Sequence, residues 1–326
     1  MSDTKYKILA LVKDDLEAIE TALEENLNPY LDLVSQIAKH ILFSGGKRLR
    51  PLLMVLSARI CGYNGNYDKT FSTIFEYLHA ATLLHDDLVD QATLRRGHPV
   101  AHSIWGNATA VLVGDFLLAR SLSIAAKTEL PEVIRIVAEI TENMSQGEIH
   151  QLMKKGRLDF TEEEYMEVIR RKTAVLFQGT CRVSALISGT SKEKETALSD
   201  YGFNLGIAFQ MVDDLLDYTL DSDILGKKVG ADLKEGKLTL PVIHSLKAAN
   251  AEDRIQMEKI IKNKDFSIND FKTLIALMEK YGGQEYTEKL AREYVGNAKD
   301  ALTVFNNSKT KEILLMIADY TLTRTV

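Results

Sequence analysis

Two stretches of the chain carry carboxylates at the same spacing. The first is Asp86-Asp87-Leu88-Val89-Asp90, and the second, 127 residues later, is Asp213-Asp214-Leu215-Leu216-Asp217. On a helix, residues i and i+4 share a face, so Asp86 points with Asp90 and Asp213 with Asp217. Carboxylates grouped in this way repel one another and cost stability unless a cation lies between them. Hard oxygen donors at this density suit Mg2+, which keeps some of its waters and usually completes its shell with phosphate oxygens. One Asp-Asp-x-x-Asp alone is more simply a solvated acidic face. Two copies, each bracketed by core-type residues, favour metal binding.

Cations accompany the carboxylates. Ser44-Gly45-Gly46-Lys47-Arg48-Leu49-Arg50-Pro51 sets three of them just after a Gly-Gly break. Glycine lets a backbone approach an anion closely, and arginine presents a fork that matches phosphate oxygens. Arg95 and Arg96 follow the first acidic run, Lys172-Thr173 lies further on, and a loop from Gly226 to Pro241 carries Lys227, Lys228, Lys234 and Lys237. Each of these alone reads as surface charge or as a helix-end cation. Beside two acidic metal clusters they point to a site for polyphosphorylated ligands. Two near-matches fail. Asp221 to Asp232 has Leu225 and Lys227 where a calcium loop needs other ligands, and Asp where Glu is usual at its twelfth place. Gly230 and Gly236 are separated by five residues rather than four, and Leu238 follows the lysine, so this is no Walker A loop. The seven histidines are scattered and form no zinc spacing or nucleophilic triad.

Helices must position these groups. Ile74, Leu78, Ala81, Leu84 and Leu88 repeat at helical spacing and mark one buried stripe. Similar patterns run through 7–41, 51–62, 103–127, 132–153, 162–189, 195–219 and most of 238–322. No strand alternation is sustained. No proline falls between Pro131 and Pro241, which fits long uninterrupted helices. Thr161 to Glu164 reads as a capping box. Breaks are expected at 44–46, 62–66, 97–99, 155–156 and 226–236. No linker divides the chain and no 34–47-residue repeat suggests a solenoid, so one all-α domain over 1–326 is expected.

Composition narrows the function. The chain has 326 residues, 45% hydrophobic and 26% charged, with a formal net charge of −6. It is too apolar for a disordered chain and not basic enough for broad binding to nucleic acid. The six aspartates of the two clusters account numerically for the whole acidic excess. Cys61 and Cys181 make no disulfide framework and suit a reducing, cytoplasmic compartment. Ile8 to Val12 is too short for a signal-peptide core, and no unbroken apolar run reaches the roughly 18 residues of a membrane span.

Taken in order, the motifs resemble the trans-polyprenyl diphosphate synthases, of the isoprenoid synthase fold. The carriers are Gly-Gly-Lys-Arg-Leu-Arg-Pro at 45–51, Leu-Leu-His-Asp-Asp-Leu-Val-Asp at 83–90, Arg-Arg-Gly at 95–97 and Val-Gly-Asp at 113–115. Lys-Thr at 172–173, Phe-Gln-Met-Val-Asp-Asp-Leu-Leu-Asp at 209–217 and the Gly/Lys loop at 226–241 complete the set. The resemblance implies a helical bundle around a deep pocket, usually a homodimer, that condenses isopentenyl diphosphate head-to-tail with an allylic diphosphate. It implies Asp86 and Asp90 on Mg2+ with Asp87 in support, and Asp213 on a further Mg2+ supported by Asp214 and Asp217. Three Mg2+ per site are expected, with Mn2+ as an alternative. Lys47, Arg50, His79 and Arg96 match the isopentenyl diphosphate site. Arg95, Lys172, Thr173, Gln210, Lys227 and Lys237 match the allylic site, and Lys172, Thr173, Gln210 and Lys227 are the catalytic candidates. Lys228 stands where the family often has proline.

The implied chemistry breaks an allylic C–O bond to a carbocation and a diphosphate, whose growing charge Mg2+ and cations stabilise. The pocket must keep water out, dipoles such as Gln210 and the Thr173 region stabilise the cation, and released diphosphate serves as the base. Phe75, His79, Thr82, Asp86 and Asp90 lie near one helical stripe, with Leu78 and Ala81 close by. Short-chain members tend to carry bulky aromatics where this chain has Ala81 and Thr82. Each helical turn left open adds about 5.4 Å of depth, on the order of one isoprene unit. A product of about C30–C50 is expected, octaprenyl at the centre and geranylgeranyl (C20) as runner-up. A terpene cyclase would not need the 45–51 site, and a non-catalytic subunit should have lost motif residues. The apolar product suggests transient membrane contact at release.

Overall fold

The computed structural model describes residues 3–218 and 230–324. Lys227 and Lys228 lie outside the described residues. The stretch expected to be helical over 7–41 is three helices, α1 (Asp3–Leu11), α2 (Lys13–Leu27) and α3 (Asp32–Phe43). Asn28, in the left-handed region at φ 38°, and Pro29 end α2. Then come α4 (Leu49–Ile60) and α5 (Asp68–Val89). A minimal hairpin follows, β1 (Leu94–Arg95) against β2 (His98–Pro99), turning through Arg96 and Gly97. Both turn residues have positive φ, 52° and 83°, as a two-residue hairpin turn with the right-handed strand twist requires.

The expected helix over 103–127 is broken at Gly106 (φ 85°) into α6 (Ala101–Trp105) and α7 (Asn107–Ala126). Pro131 at the first turn opens α8 (Pro131–Lys154). The capping box holds as read. Glu164 N donates to Thr161 Oγ1 at 3.2 Å, and Thr161 N to Glu164 Oε2 at 2.9 Å. It starts α9 (Glu162–Ile169), which runs through a π-helical turn, Arg170–Ala174, into α10 (Val175–Ile187). The expected uninterrupted helix over 162–189 is therefore corrected. α11 (Lys192–Leu216) follows, and the loop expected over 226–236 contains the short α12 (Ala231–Lys234). The remainder is α13 (Leu240–Ala248), α14 (Ala251–Lys262), α15 (Ile268–Lys280), α16 (Gly283–Ala301) and α17 (Lys309–Thr323).

α5 and α11 carry the acidic runs at their C-terminal ends. α5 is packed by α2, α4 and α7, and α11 by α10, α16 and α17. Ile74, Leu78, Ala81 and Leu84 are each at most 1% exposed, as their stripe predicts. Each fully buried leucine or isoleucine there contributes about 1.5–3 kcal/mol relative to exposure, enough to hold a helix whose last turn gathers like charges. Two apolar clusters, one around α4, α5 and α10 and one around α13 and α15, both pack against Tyr294 and Leu322. α7 corrects the membrane reading in one respect. It has no unbroken apolar run, yet among the described residues it is the one helix long and apolar enough to cross a membrane by length and composition. It packs on α5 and α8, which bury one side of it.

Candidate active site

The ends of α5, α8 and α11, the π turn, the 44–50 loop and the hairpin surround an open cleft of about 870 Å³. Its walls carry Lys47, Arg50, His79, Asp86, Arg95, Arg96, Lys172, Thr173, Gln210 and Asp213, so most of the residues singled out from sequence converge on one space. A smaller, adjoining cavity shares Lys172, Thr173 and Gln210 and adds Asp214 and Lys237.

Identical letters in the two acidic runs have different surroundings. In the first, Asp87 is buried and accepts both carboxylate bonds from Arg95 Nε at 2.9 Å, with Arg95 Nη2 at 2.7 Å. Arg95 is thus tied to Asp87 while lining the cleft. Asp90 meets Lys237 Nζ at 2.8 Å and Lys155 Nζ at 3.2 Å. Burial opposes its charge, but the two ammoniums win and its pKa is lowered. Asp86 accepts no hydrogen bond among those described. Burial, with Glu148 and Asp90 adding to it, pushes its carboxyl up to about 6.

In the second run, Asp214 is buried and takes neutral donors, Tyr165 OH at 2.6 Å and Gln210 Nε2 at 2.8 Å. Burial pushes its carboxyl up to about 7. Asp217 accepts from the backbone N–H groups of Ala231 and Asp232 at 3.0 and 3.1 Å. It anchors the start of α12, and its pKa is raised by burial. Asp213 alone faces the cleft, 2.9 Å from Arg324 Nη1.

The 44–50 loop sorts its own cations. Arg48, at φ 46°, is buried and spent on Glu20 (2.6 and 3.1 Å) and Glu76 (3.0 Å). Lys47 and Arg50 have no ion pair among those described. Arg50 lies over the Phe177 ring at 4.9 Å, and its Nε is buried without a hydrogen-bond partner among the described residues. Burial pushes its guanidinium down to about 10, burial with neighbouring cations lowers Lys47 and Arg96, and burial alone lowers Arg324. The hairpin turn aims Arg96 back at the Gly45 carbonyl. His79 lies among these guanidiniums. Burial first, then Arg50 and Arg96, hold its pKa well below the usual value, so it is a neutral imidazole. This wall has more positive charge than its acids balance, the condition of an anion site.

The π turn presents Lys172 and Thr173. Such single turns inside α-helices occur often at functional sites. Lys172 pairs with Glu148 and donates to Gln151 Oε1 at 2.7 Å, and Thr173 Oγ1 donates to Gln210 Oε1 at 2.8 Å. Gly147 permits the approach of α8. A Cβ there would lie 2.8 Å from Arg171 Cβ and 2.9 Å from Lys172 Cγ. Gly114 of the Val-Gly-Asp run has a similar reason, since a Cβ would lie 2.3 Å from His85 Nε2.

Of the four residues expected to set product length, Thr82 lines the cleft. Phe75, Leu78 and Ala81 do not, and are at most 1% exposed. For Leu78 and Ala81 the reason is helical phase: they belong to the packed stripe with Ile74 and Leu84. The apolar walls of the cleft include Leu83, Met144, Ile149, Leu152 and Phe209, beside Thr82. Sequence reading missed Glu148, Gln151, Lys155, Tyr165 and Arg324. The first two had a signal, since Gly147, Glu148 and Gln151 share a helical face. Arg324, near the C-terminus, had none. It is buried, stacks on Phe209 at 3.8 Å and donates to the Phe209 carbonyl.

Among the described residues no three acidic, histidine or cysteine side chains cage an ion by themselves. Asp86 and Asp213, both on the cleft, fit a divalent ion shared with a ligand, as when one or two carboxylates and phosphate oxygens complete its shell. The unpartnered Arg50 Nε fits an incoming diphosphate in the same way.

A helical fold with two carboxylate-bearing helix ends facing one cation-lined cleft defines a prenyltransferase of the isoprenoid synthase type. The chain belongs to the polyprenyl synthetase family, whose model matches residues 31–278. It is 39% identical over 312 residues to the octaprenyl diphosphate synthase of Escherichia coli, covering 96% of each chain. Its fold is similar to a polyprenyl synthase from Caulobacter crescentus complexed with calcium and isoprenyl diphosphate (TM-score 0.91, 35% identity, 98% and 97% of the two chains). A decaprenyl diphosphate synthase from Rhodobacter capsulatus is equally similar in fold (TM-score 0.91, 37% identity, 98% and 99%). The protein is a trans-polyprenyl diphosphate synthase.

Proposed function

We propose that the protein adds isopentenyl diphosphate units to an allylic diphosphate with Mg2+ and releases a product of about C30–C50, octaprenyl being its main length. The observation that carries the length is the apolar side of the cleft. Thr82 stands where a bulky side chain would close it, while Ile149 (57% exposed) and Leu152 (39%) leave apolar surface open toward it. The octaprenyl and decaprenyl synthases among the similar proteins support the same range.

Asp86, Asp90 and Asp213 hold the metal, three Mg2+ per site, and Mn2+ can replace it. Asp87, Asp214 and Asp217 hold the helix ends. The metal supplies Lewis-acid stabilisation of the leaving diphosphate. Lys172, Lys237 and, outside the described residues, Lys227 neutralise charge growing on that group, and Arg95 reaches it from its seat on Asp87. Lys47, Arg50, Arg96 and neutral His79 hold the isopentenyl diphosphate on the other wall. Thr173, bonded to Gln210, and Gln210, fixed in turn by its bond to Asp214, turn oxygen dipoles to the allylic cation without a free nucleophile. Walls from α5, α8 and α11 keep water from the cation. The isopentenyl double bond attacks that cation to form the new C–C bond, and the tertiary cation that results loses an adjacent proton to the departing diphosphate, which restores a double bond.

The protein works as a cytoplasmic homodimer with transient membrane contact at product release. α7 supports the dimer. Leu112 on it is 65% exposed and Leu122 38%, a face that a second copy would cover. Chromatography of dephosphorylated products tests the length. The main product should be C40, and Thr82→Phe should shorten it by two or more isoprene units. A sole C15 product from the unmodified protein would overturn the open-cleft reading, and C20 would favour a geranylgeranyl synthase.

A further inference from the structure

The turn after α8 brings to Asp90 an ammonium that no sequence motif marks. Lys155 Nζ lies 3.2 Å from Asp90 Oδ1 while Lys237 Nζ lies 2.8 Å from Oδ2. Lys237 is also 2.8 Å from Glu235. The two lysines stand on loops joined to each other. Gly156 N donates to Gly236 O at 2.8 Å, next to both lysines in the chain. Lys155 leaves α8 with an extended backbone, ψ 122°, and its side chain is 31% exposed against 14% for Lys237. Lys155 is therefore the partner with room to move, on a flexible four-carbon stem.

We propose that Lys155 is a further contact for the allylic diphosphate, kept on Asp90 until a metal ion takes that carboxylate. The proposal rests on Asp90 being a metal-facing carboxylate of a diphosphate site. Two ammoniums and two carboxylates, Asp90 and Glu235, balance locally. A divalent cation bound to Asp90 by itself would leave this group with an excess of two positive charges and displace Lys155 into solvent. A diphosphate entering with the metal restores the balance and takes the hydrogen bonds that Lys155 gives up. Lys155 thus opposes metal alone and favours metal with diphosphate. By linkage, the same factor raises diphosphate affinity when metal is present.

Titrating the full-length protein with Mn2+, read by electron paramagnetic resonance with and without inorganic pyrophosphate, tests this. Lys155→Met should bind Mn2+ alone about threefold to tenfold more tightly than the unmodified protein and gain correspondingly less from pyrophosphate. Lys155→Arg, which keeps the charge, should behave like the unmodified protein. Equal Mn2+ affinities for Lys155→Met and the unmodified protein in both conditions would overturn the proposal. The underlying reading fails separately if the unmodified protein binds no Mn2+ with pyrophosphate, or if Asp90→Asn binds it as well.

Discussion

The C-terminal ends of α5 and α11 present the same three aspartates in the same spacing, and they are held in opposite ways. The first end is held by charges. Arg95 locks Asp87, Lys237 and Lys155 share Asp90, and Asp86 is left without a hydrogen bond among those described. The second end is held mostly by neutral donors. Tyr165 and Gln210 take Asp214, backbone N–H groups take Asp217, and Arg324 alone brings a charge to Asp213. Ammonium partners can be exchanged for a metal and a phosphate within the same charge balance. Buried neutral donors fix a carboxylate in place. On the proposed reading the α5 end changes partners during turnover, while Asp214 and Asp217 of the α11 end stay in place.

Substitutions can break that comparison. The largest effect is expected on turnover. Asp86→Asn and Asp213→Asn, at the two cleft-facing positions, should each lower kcat about a thousandfold. Asp217→Asn keeps an oxygen for one of the two N–H groups and should lose only about tenfold. Steady-state incorporation of labelled isopentenyl diphosphate measures all three. Equal losses at Asp86 and Asp217 would remove the distinction between exchanging and anchoring carboxylates.

A smaller effect, of opposite sign at the two ends, is expected on stability without metal. Asp86→Asn relieves a half-buried charge with no hydrogen-bonded partner and should stabilise the fold by about 1 kcal/mol. Asp217→Asn weakens the anchor of α12 and should destabilise it by about 1 kcal/mol. Thermal melting in EDTA should show shifts of about 1–2 °C, upward for the first and downward for the second. Shifts in the same direction would mean that the two ends are held alike.

The sequence made the outline of this site legible because its strongest signals are periodic or charged. The stripe through Ile74, Leu78, Ala81 and Leu84 placed the buried side of α5, and the i, i+4 spacing placed Asp86 and Asp90 together. What stayed hidden depends on partners far away in the chain. Nothing in two runs with the same aspartate spacing says that one will meet lysines and the other a tyrosine. A π turn has no hydrophobic period of its own, so Lys172 and Thr173 could be marked but not oriented. Arg324 reaches Asp213 only because α17 packs against α11. Ala81 shows the opposite failure. Its small size suggested an open pocket, while its own stripe already assigned it to the core.

The central claim is that both carboxylate ends act through a divalent metal on a prenyl diphosphate. Single-turnover condensation tests it most directly, with purified protein, an allylic diphosphate primer and labelled isopentenyl diphosphate. Label should pass into organic-extractable polyprenyl product with Mg2+ present, and EDTA should abolish it. Absence of product with Mg2+, or undiminished product in EDTA, would contradict the account.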